Sequence, residues 1–137
     1  MIRLLKAQTI SVSVARKPDE VYDFVQNPEN LLRWAKGLAR KVTKSGSGWI
    51  IQTPQGLMTF RFVPRNALGV LDHFVNTADG AETYVPMRVF ANQAGSEVAI
   101  TVFRQPDVMG DAFAEDLRQV KADLQTLKEI LEQDRRV

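Results

Sequence analysis

The C-terminal part of the chain carries the pattern that most restricts its fold, with an apolar residue at every third or fourth position across residues 111–133. The residues on this stripe are Phe113, Leu117, Val120, Leu124, Leu127 and Leu131. Their spacing places them on one face of an α-helix, which would be roughly 35 Å long at about 1.5 Å per residue. The opposite face has no sustained heptad of charges, so we expect the helix to pack on a sheet rather than in a coiled coil. An apolar face this long requires a partner surface of similar length.

Length and composition predict a single domain spanning residues 1–137. A chain of 137 residues, 45% of them hydrophobic, can bury a core of its own. The chain contains no cysteine, which excludes disulfides and thiolate metal sites and is typical of a reducing compartment. Near the N-terminus, Leu4 and Leu5 are too short an apolar segment for a signal sequence or a membrane span. We therefore expect a cytoplasmic protein.

The remainder of the chain has the patterns of strands and short helices. Ile10, Val12 and Val14 alternate with polar residues and predict a first strand. Pro18 begins a short helix, which ends at Asn27 and Pro28, where a second short helix begins that carries Leu31, Leu32 and Trp34. Turns rich in Gly, Pro and Asn then separate six further strands, near residues 38–44, 49–53, 57–63, 70–75, 82–91 and 97–104. The short turns favour antiparallel neighbours.

The predicted order, a strand, two short helices, six strands and a long helix, is an α+β arrangement in which a curved sheet wraps the terminal helix. The segment ARKPDEVYDFVQNPENLLRW resembles the opening of the START-related (SRPBCC) superfamily, and VLDHFV, YVPMRVF, GSEVAITVFR and DLRQVKADLQTLKEILE are similar to small bacterial members. This resemblance implies the helix-grip fold, a curved seven-stranded antiparallel sheet around a long C-terminal helix. Pollen-allergen ligand carriers and bacterial polyketide cyclase or dehydrase-like proteins share it. The resemblance implies no single activity, because the superfamily has no common catalytic motif.

The alternation within the strands allows two registers. One would bury Arg61, Asp72 and Arg88, which would cost several kcal/mol each unless all three were paired. The other faces a largely apolar set toward the helix: Met58, Phe60, Phe62, Leu71, His73, Val75, Val85, Met87, Val89, Val98, Ile100 and Val102. We expect this second register, with the charged groups outside and able to form cross-strand ion pairs. It also places three aromatic residues outside: Tyr84, Phe90 and Phe103. The alternative is that Arg88 reaches inward to anchor an anionic ligand.

His73 is the candidate for chemistry, because it is the single histidine of the chain and lies on the predicted inner face. A histidine there can serve as a proton shuttle or a polar anchor; the alternative is a core histidine with satisfied hydrogen bonds. Asp72 precedes it on the same strand and points to the opposite face, so no Ser-His-Asp triad is predicted. One histidine and no cysteine exclude the usual zinc sets, and no acidic cluster has calcium-loop spacing. We predict neither a metal nor a cofactor.

The predicted ligand-binding residues surround a groove between the sheet and the long helix. The resemblance implies that Trp34 closes the mouth of this groove and that Trp49 lines a wall, with ordinary core packing as the alternative. The full predicted set is Trp34, Trp49, Met58, Phe60, Phe62, His73, Met87, Phe113 and Leu117. An inner wall of aromatic, aliphatic and thioether groups suits a small apolar ligand better than acid–base chemistry.

Two hypotheses concern this groove. In the first, a monomeric or weakly dimeric protein binds a small hydrophobic molecule such as a lipid, an isoprenoid or a polyketide-like aromatic compound. In the second, the protein is an enzyme of the cyclase or dehydrase type, a lyase or isomerase, with His73 as general acid or base.

A third hypothesis concerns a run of basic residues without acidic neighbours: Arg33, Lys36, Arg40, Lys41 and Lys44. This run could bind RNA or an acidic protein surface. Nucleic acid is the weaker of the two, because Trp34 is the sole aromatic residue among these charges and the net charge is only +2.

Overall fold

The computed structural model describes residues 2–37, 39–46 and 48–133. Over these residues it contains eight β-strands: β1 (Ala7–Val14), β2 (Lys41–Ser45), β3 (Gly48–Thr53), β4 (Gly56–Phe62), β5 (His73–Thr77), β6 (Glu82–Val85), β7 (Met87–Asn92) and β8 (Gly95–Phe103). The helices are α1 (Pro18–Gln26), α2 (Leu31–Trp34) and α3 (Gly110–Gln133), with a 3-10 turn, Pro28–Asn30, before α2. The α+β class and the long C-terminal helix are confirmed. The first residue of the strand predicted at 38–44 lies outside the described residues.

The prediction of one seven-stranded sheet was wrong. The described strands form two antiparallel sheets, one of five strands in the order β2-β3-β4-β5-β6 and one of three in the order β1-β8-β7. The strand predicted at 82–91 is divided at Pro86 into β6 and β7. Proline has no N–H to donate to a ladder, although the Pro86 carbonyl still accepts a hydrogen bond from the Thr101 amide at 2.9 Å. The chain thus passes from one sheet to the other at this residue.

The apolar stripe on α3 is the buried face of the helix, as predicted. Leu124, Leu127 and Leu131 are at most 3% exposed, whereas Leu117 and Val120 are half-buried. Polar contacts join α3 to β1 and the residues that follow it. The Lys128 ammonium donates to the Ser13 carbonyl (2.8 Å), and the Ala15 amide donates to the Glu132 carboxylate (2.9 Å). Apolar burial along the stripe therefore holds α3 on the sheets, and these contacts help to set its position along β1.

The predicted register is observed on the strands around the core. Phe60, Leu71, Met87, Val89 and Val98 are all at most 3% exposed. The residues between them on the same strands face outward, as period-two alternation requires. His73, at 8% exposed, lies on the buried side with them.

Asp72 is the exception, because it was expected on the solvated outer face and is only 6% exposed. Its carboxylate accepts two hydrogen bonds from the Arg88 guanidinium, at 3.0 and 2.9 Å. It also accepts from the Tyr84 hydroxyl (2.7 Å) and from the Met87 amide (2.9 Å). Arg88 thus points away from the core and forms a cross-strand ion pair, and Tyr84 and Arg88 together cover the carboxylate from solvent.

No helix within the described ranges is long and apolar enough to cross a bilayer.

Candidate ligand-binding cavity

A cavity of about 270 Å³ lies between α2, α3 and the facing strands of both sheets. Buried apolar side chains form much of its wall, among them Phe60, Met87 and Leu124, each at most 2% exposed. A larger groove of about 800 Å³ lies on the outer surface between α1 and the segment 64–70. Its wall includes exposed side chains such as Leu68 (82%) and Phe90 (52%). The inner cavity is therefore the better candidate for holding a small molecule, because ligand sites enclose most of the ligand surface.

Three rings form the wall of the cavity on β4 and β5. His73 stacks on Phe60 with ring centroids 4.8 Å apart and an interplanar angle of 26°. Phe62 meets the His73 ring edge-on at 5.5 Å and 77°, and Phe60 at 4.9 Å and 82°. These contacts follow from the antiparallel register, in which Phe62 lies opposite His73. Packing on two faces fixes the orientation of the imidazole.

The hydrogen bond of His73 determines which ring nitrogen carries the proton, and the burial of the ring determines its charge. Its Nδ1 lies 3.0 Å from the Leu71 carbonyl oxygen, and because a carbonyl can only accept, Nδ1 carries the proton. Burial lowers the pKa of His73 to about 4, so the ring is neutral at pH 7. A neutral imidazole protonated on Nδ1 has a lone pair on Nε2. Nε2 has no hydrogen-bond partner within the described part of the chain, and it offers the cavity an acceptor.

Helix α2 contributes Trp34 to a second wall. Its side chain is 6% exposed and lines the cavity. The indole Nε1 is buried, and no acceptor for it is found among residues 2–37, 39–46 and 48–133. A buried donor without a partner costs about 1–3 kcal/mol. This N–H is a group that a bound water or a ligand could satisfy.

Helix α3 forms a third wall of the cavity. The side chains of Asp116, Gln119 and Asp123 form the polar edge of this wall. The Gln119 amide donates to the Asp123 carboxylate at 2.9 Å. Partial burial raises the pKa of Asp123, although hydrogen bonds from Gln119 and the Gly37 amide act in the opposite direction. Burial and the neighbouring Glu115 raise the pKa of Asp116. Both carboxylates are thus less well solvated than they would be in water.

The same helix approaches the turn after α2 closely. A Cβ at Gly37 would lie 2.0 Å from the Gln119 amide nitrogen, so the glycine lets this side chain pack on the backbone. Asp123 and Gln119 therefore connect α3 to the segment that carries Trp34.

The cavity extends to the place where the two sheets separate. Consecutive residues of β6, namely Thr83, Tyr84 and Val85, line it, as do residues 100–103 of β8. In a continuous sheet, alternate residues point away, so one face would present every second residue. Consecutive lining residues mean that the cavity reaches the facing edges of β6 and β8. Tyr84 lies on the outer face as predicted, at 40% exposed with its hydroxyl on Asp72, and at this edge Tyr84 and Phe103 also border the cavity.

Comparison with known proteins gives a match in structure alone. No protein-family model and no curated protein sequence matches the chain. The Aha1 dimer from Colwellia psychrerythraea superposes with a TM-score of 0.75 at 13% identity, over 93% of this chain and 97% of that one. Ara h 8.0201 superposes with a TM-score of 0.71 at 9% identity, over 95% and 99% of the two chains. DynU16, from the dynemicin biosynthetic locus, matches with a TM-score of 0.69 at 17% identity, over 92% of this chain and 47% of its own.

The chain has the helix-grip fold. The resemblance carried by the sequence segments and the structural matches agree on this fold. At identities of 17% or less they show the fold and no activity.

The helix-grip structure brings five of the predicted ligand-binding residues to the cavity: Trp34, Phe60, Phe62, His73 and Met87. The other four do not line it. Trp49 is half-buried beside Lys44, whose ammonium lies 5.8 Å from the ring centroid. Met58 lies opposite Ile51 on β3. Phe113 is buried near the start of α3 and Leu117 is half-buried one turn later.

Sequence reasoning missed the polar wall on α3. Asp116 and Asp123 are seven residues apart and lie on either side of Val120, so helical geometry places them at the edge of the apolar stripe. That spacing was the available signal. Within the described residues, no group of three or more Asp, Glu or His side chains could hold a metal ion.

Proposed function

We propose that this protein binds a small hydrophobic molecule in the cavity between the sheets and α3. The observation that carries the proposal is a mostly apolar wall with a few polar groups that lack protein partners. His73 Nε2 offers an acceptor and Trp34 Nε1 a donor, and both side chains are more than nine-tenths buried. Ligand sites typically combine an apolar lining with a few such groups that fix orientation.

The size of the cavity restricts the ligand. A protein cavity of about 150 Å³ accommodates benzene, and drug-sized ligands occupy about 300–1,000 Å³. At about 270 Å³, this cavity suits a compound of two or three aromatic rings. Among the ligand classes considered from the sequence, a small aromatic compound fits better than a long lipid chain.

The fold supports a binding role in a general way. It resembles the fold of ligand-binding helix-grip proteins, and one structural match, DynU16, comes from a biosynthetic locus. These resemblances favour a small molecule as partner and leave the compound to be identified.

A second candidate function is acid–base catalysis of the cyclase or dehydrase type. The observation that favours it is the presence of Asp116 and Asp123 on the wall contributed by α3, while the sheets contribute His73. A neutral imidazole with a free Nε2 can accept a proton, and a carboxyl group with a raised pKa can donate one. His73 itself would serve as base rather than acid at pH 7, because its pKa of about 4 leaves it unprotonated. Such a low pKa also makes it a weak base, which favours the binding role.

A fluorescent apolar probe tests the binding proposal. We expect phenylnaphthylamine, which fluoresces strongly in apolar surroundings, to bind the wild type with a one-to-one stoichiometry. Val120→Phe should weaken binding about 10-fold or more, because Val120 lines the cavity and the larger ring would occupy it. Ile130→Phe is the matched control, since Ile130 is a half-buried residue of the same helix outside the cavity. Absence of any saturable signal with the wild type would refute the proposal.

Native mass spectrometry separates binding from catalysis. Wild type and the His73→Phe variant are expressed separately in the same host strain. The masses of the compounds that remain bound to each purified protein are then compared. A binding protein should retain a compound of the same mass in both, whereas an enzyme should hold substrate in the variant and product or nothing in the wild type.

A further inference from the structure

The charged groups on the cavity wall all have one sign. Asp116 and Asp123 line it from α3. Among the described residues that line the cavity, none is Lys or Arg. The alternative that Arg88 reaches inward is excluded, because its guanidinium forms an ion pair with Asp72 and its side chain is 50% exposed. A ligand anion would therefore meet two carboxylates and no compensating cation.

The histidine on the cavity wall does not supply a positive charge either. Its Nδ1–H is occupied by the Leu71 carbonyl, and the Nε2 that remains accepts hydrogen bonds. A ligand carboxylate has only acceptor oxygens, so at Nε2 two lone pairs would face each other. A ligand hydroxyl can donate to Nε2 without this conflict.

The carboxylates of α3 have the same preference for a donor. Asp123 accepts from Gln119 and from the Gly37 amide, yet partial burial still leaves its pKa above the usual value. Asp123 is half-buried whereas Asp116 is exposed. A ligand hydroxyl that donates toward Asp123 would replace solvent lost on burial, whereas an anion would add like-charge repulsion, more strongly at Asp123 than at Asp116, which water screens. Trp34 Nε1 supplies a donor for a ligand oxygen, and a hydroxyl oxygen can accept from it.

We propose that the ligand of this cavity is an uncharged aromatic compound that carries a hydroxyl group, and that the cavity excludes carboxylates and other anions. This inference rests on the proposed binding function and names the ligand class for that site. It has the consequence that fatty acids, which an apolar cavity would otherwise accept, are poor ligands here.

A series of three probes of similar size tests the inference: naphthalene, naphthol and naphthoate. Their displacement of phenylnaphthylamine is measured with the full chain at pH 7. We expect naphthol to bind about 5-fold or more tightly than naphthalene, because it gains a hydrogen bond. Naphthoate should bind at least about 10-fold more weakly than naphthol.

Two variants assign these preferences to the cavity wall. His73→Phe should remove the advantage of naphthol over naphthalene while naphthalene still binds. Asp116→Asn with Asp123→Asn should improve naphthoate binding about 10-fold relative to naphthalene, because both negative charges are removed while the asparagine side chain can still accept from Gln119. The matched control is Asp111→Asn with Glu129→Gln, which removes two charges from α3 outside the cavity. The control should not change naphthoate affinity.

The outcomes separate this inference from the function on which it rests. If phenylnaphthylamine and all three probes fail to bind, the binding function itself is wrong. If naphthalene binds and naphthoate binds as well as naphthol, the cavity binds ligands but the inferred class is wrong. If the control improves naphthoate binding as much as the Asp116 and Asp123 variant does, the discrimination is a general charge effect and the inference also fails.

Discussion

At the scale of single residues, Asp72 shows how burial changes the contribution of an ion pair to the stability of the fold. Its carboxylate is 6% exposed and accepts four hydrogen bonds, from Arg88, Tyr84 and the Met87 amide. The nearby pair of Arg61 and Glu82 has one polar contact at 3.5 Å, and both side chains are about half exposed. Exposed pairs contribute little because water screens them, whereas a buried, fully hydrogen-bonded carboxylate is costly to remove.

The first prediction compares these two pairs. Asp72→Ala should lower the free energy of unfolding by about 2–3 kcal/mol, because it leaves the buried Met87 amide without an acceptor and breaks the bidentate pair. Glu82→Ala should lower it by less than about 1 kcal/mol. Urea unfolding at pH 7 measures both, and similar losses would contradict the burial of Asp72.

The Arg88 guanidinium, and then the Met87 amide and the Tyr84 hydroxyl, hold the pKa of Asp72 at about 2, against desolvation. A folded pKa below the usual value of 3.8 means that this stabilisation is fully present above about pH 4. It is lost as the pH falls toward about 2. The difference between wild type and Asp72→Ala should therefore shrink below pH 4.

His73 carries the second prediction, which concerns mild acid. Burial lowers its folded pKa from the usual 6.5 to about 4, so below pH 6.5 the unfolded chain binds a proton that the folded chain does not. Unfolding is then favoured as the pH falls from about 6.5 to about 4, by about 3 kcal/mol over that range at about 1.4 kcal/mol per tenfold difference in proton affinity.

His73→Phe should remove most of this loss above about pH 5, because the chain has no other histidine and carboxyl groups ordinarily titrate near pH 4. Urea midpoints of wild type and variant between pH 7 and 4 measure the effect. Parallel pH profiles for the two proteins would mean that His73 is accessible to protons in the folded state.

At the scale of elements, α3 has two distinct functions along its length. Its apolar stripe closes the core, and the polar edge formed by Asp116, Gln119 and Asp123 borders the cavity. Leu124 belongs to both regions, being 1% exposed and part of the cavity wall. Leu127 is equally buried but lies outside the cavity.

The third prediction uses this difference. Leu124→Ala and Leu127→Ala should each lower the free energy of unfolding by about 2–5 kcal/mol, through lost burial and the space left behind. Lys121→Ala, on the exposed face, should cost less than about 0.5 kcal/mol. Of the two leucine variants, only Leu124→Ala should increase the affinity for apolar probes larger than phenylnaphthylamine, because it enlarges the cavity. Equal losses for Lys121→Ala and Leu124→Ala in urea melts would mean that the buried face of α3 is misplaced.

At the scale of the whole molecule, the charge distribution bears on the third hypothesis, a macromolecular partner. The basic run of Arg33, Lys36, Arg40, Lys41 and Lys44 extends from α2 into β2, and its side chains are exposed. Two of them lie near aromatic rings. The Arg33 guanidinium is 5.1 Å from the Phe24 ring centroid, and the Lys44 ammonium is 5.8 Å from that of Trp49. With a net charge of +2, the molecule has no strong overall attraction for a polyanion.

The fourth prediction is that this run does not bind RNA. Gel-shift titration at physiological salt should show no saturable complex, and reversing Lys36, Arg40 and Lys41 to Glu should change neither the fold nor this result. A strong shift that weakens steeply with added salt, and that the triple variant abolishes, would establish a nucleic-acid surface instead.

The sequence by itself determined the features that arise from local periodicity. The stripe from Phe113 to Leu131 predicts α3 because the helical repeat places those residues on one face whatever covers them. The inward register of Phe60, His73 and Met87 follows in the same way, since a slip by one residue would bury charge.

The tertiary structure alone decided which surfaces meet. The division of the sheet at Pro86, the burial of Asp72 beneath Tyr84 and Arg88, and the approach of Asp123 to Gly37 all depend on contacts between residues distant in sequence. Alternation along a strand assigns a side chain to one face of the sheet, but it does not say whether another element packs on that face. The desolvation of the side chain depends on whether such an element packs there. For this reason the apolar core could be predicted from the sequence, whereas the polar wall of the cavity could not.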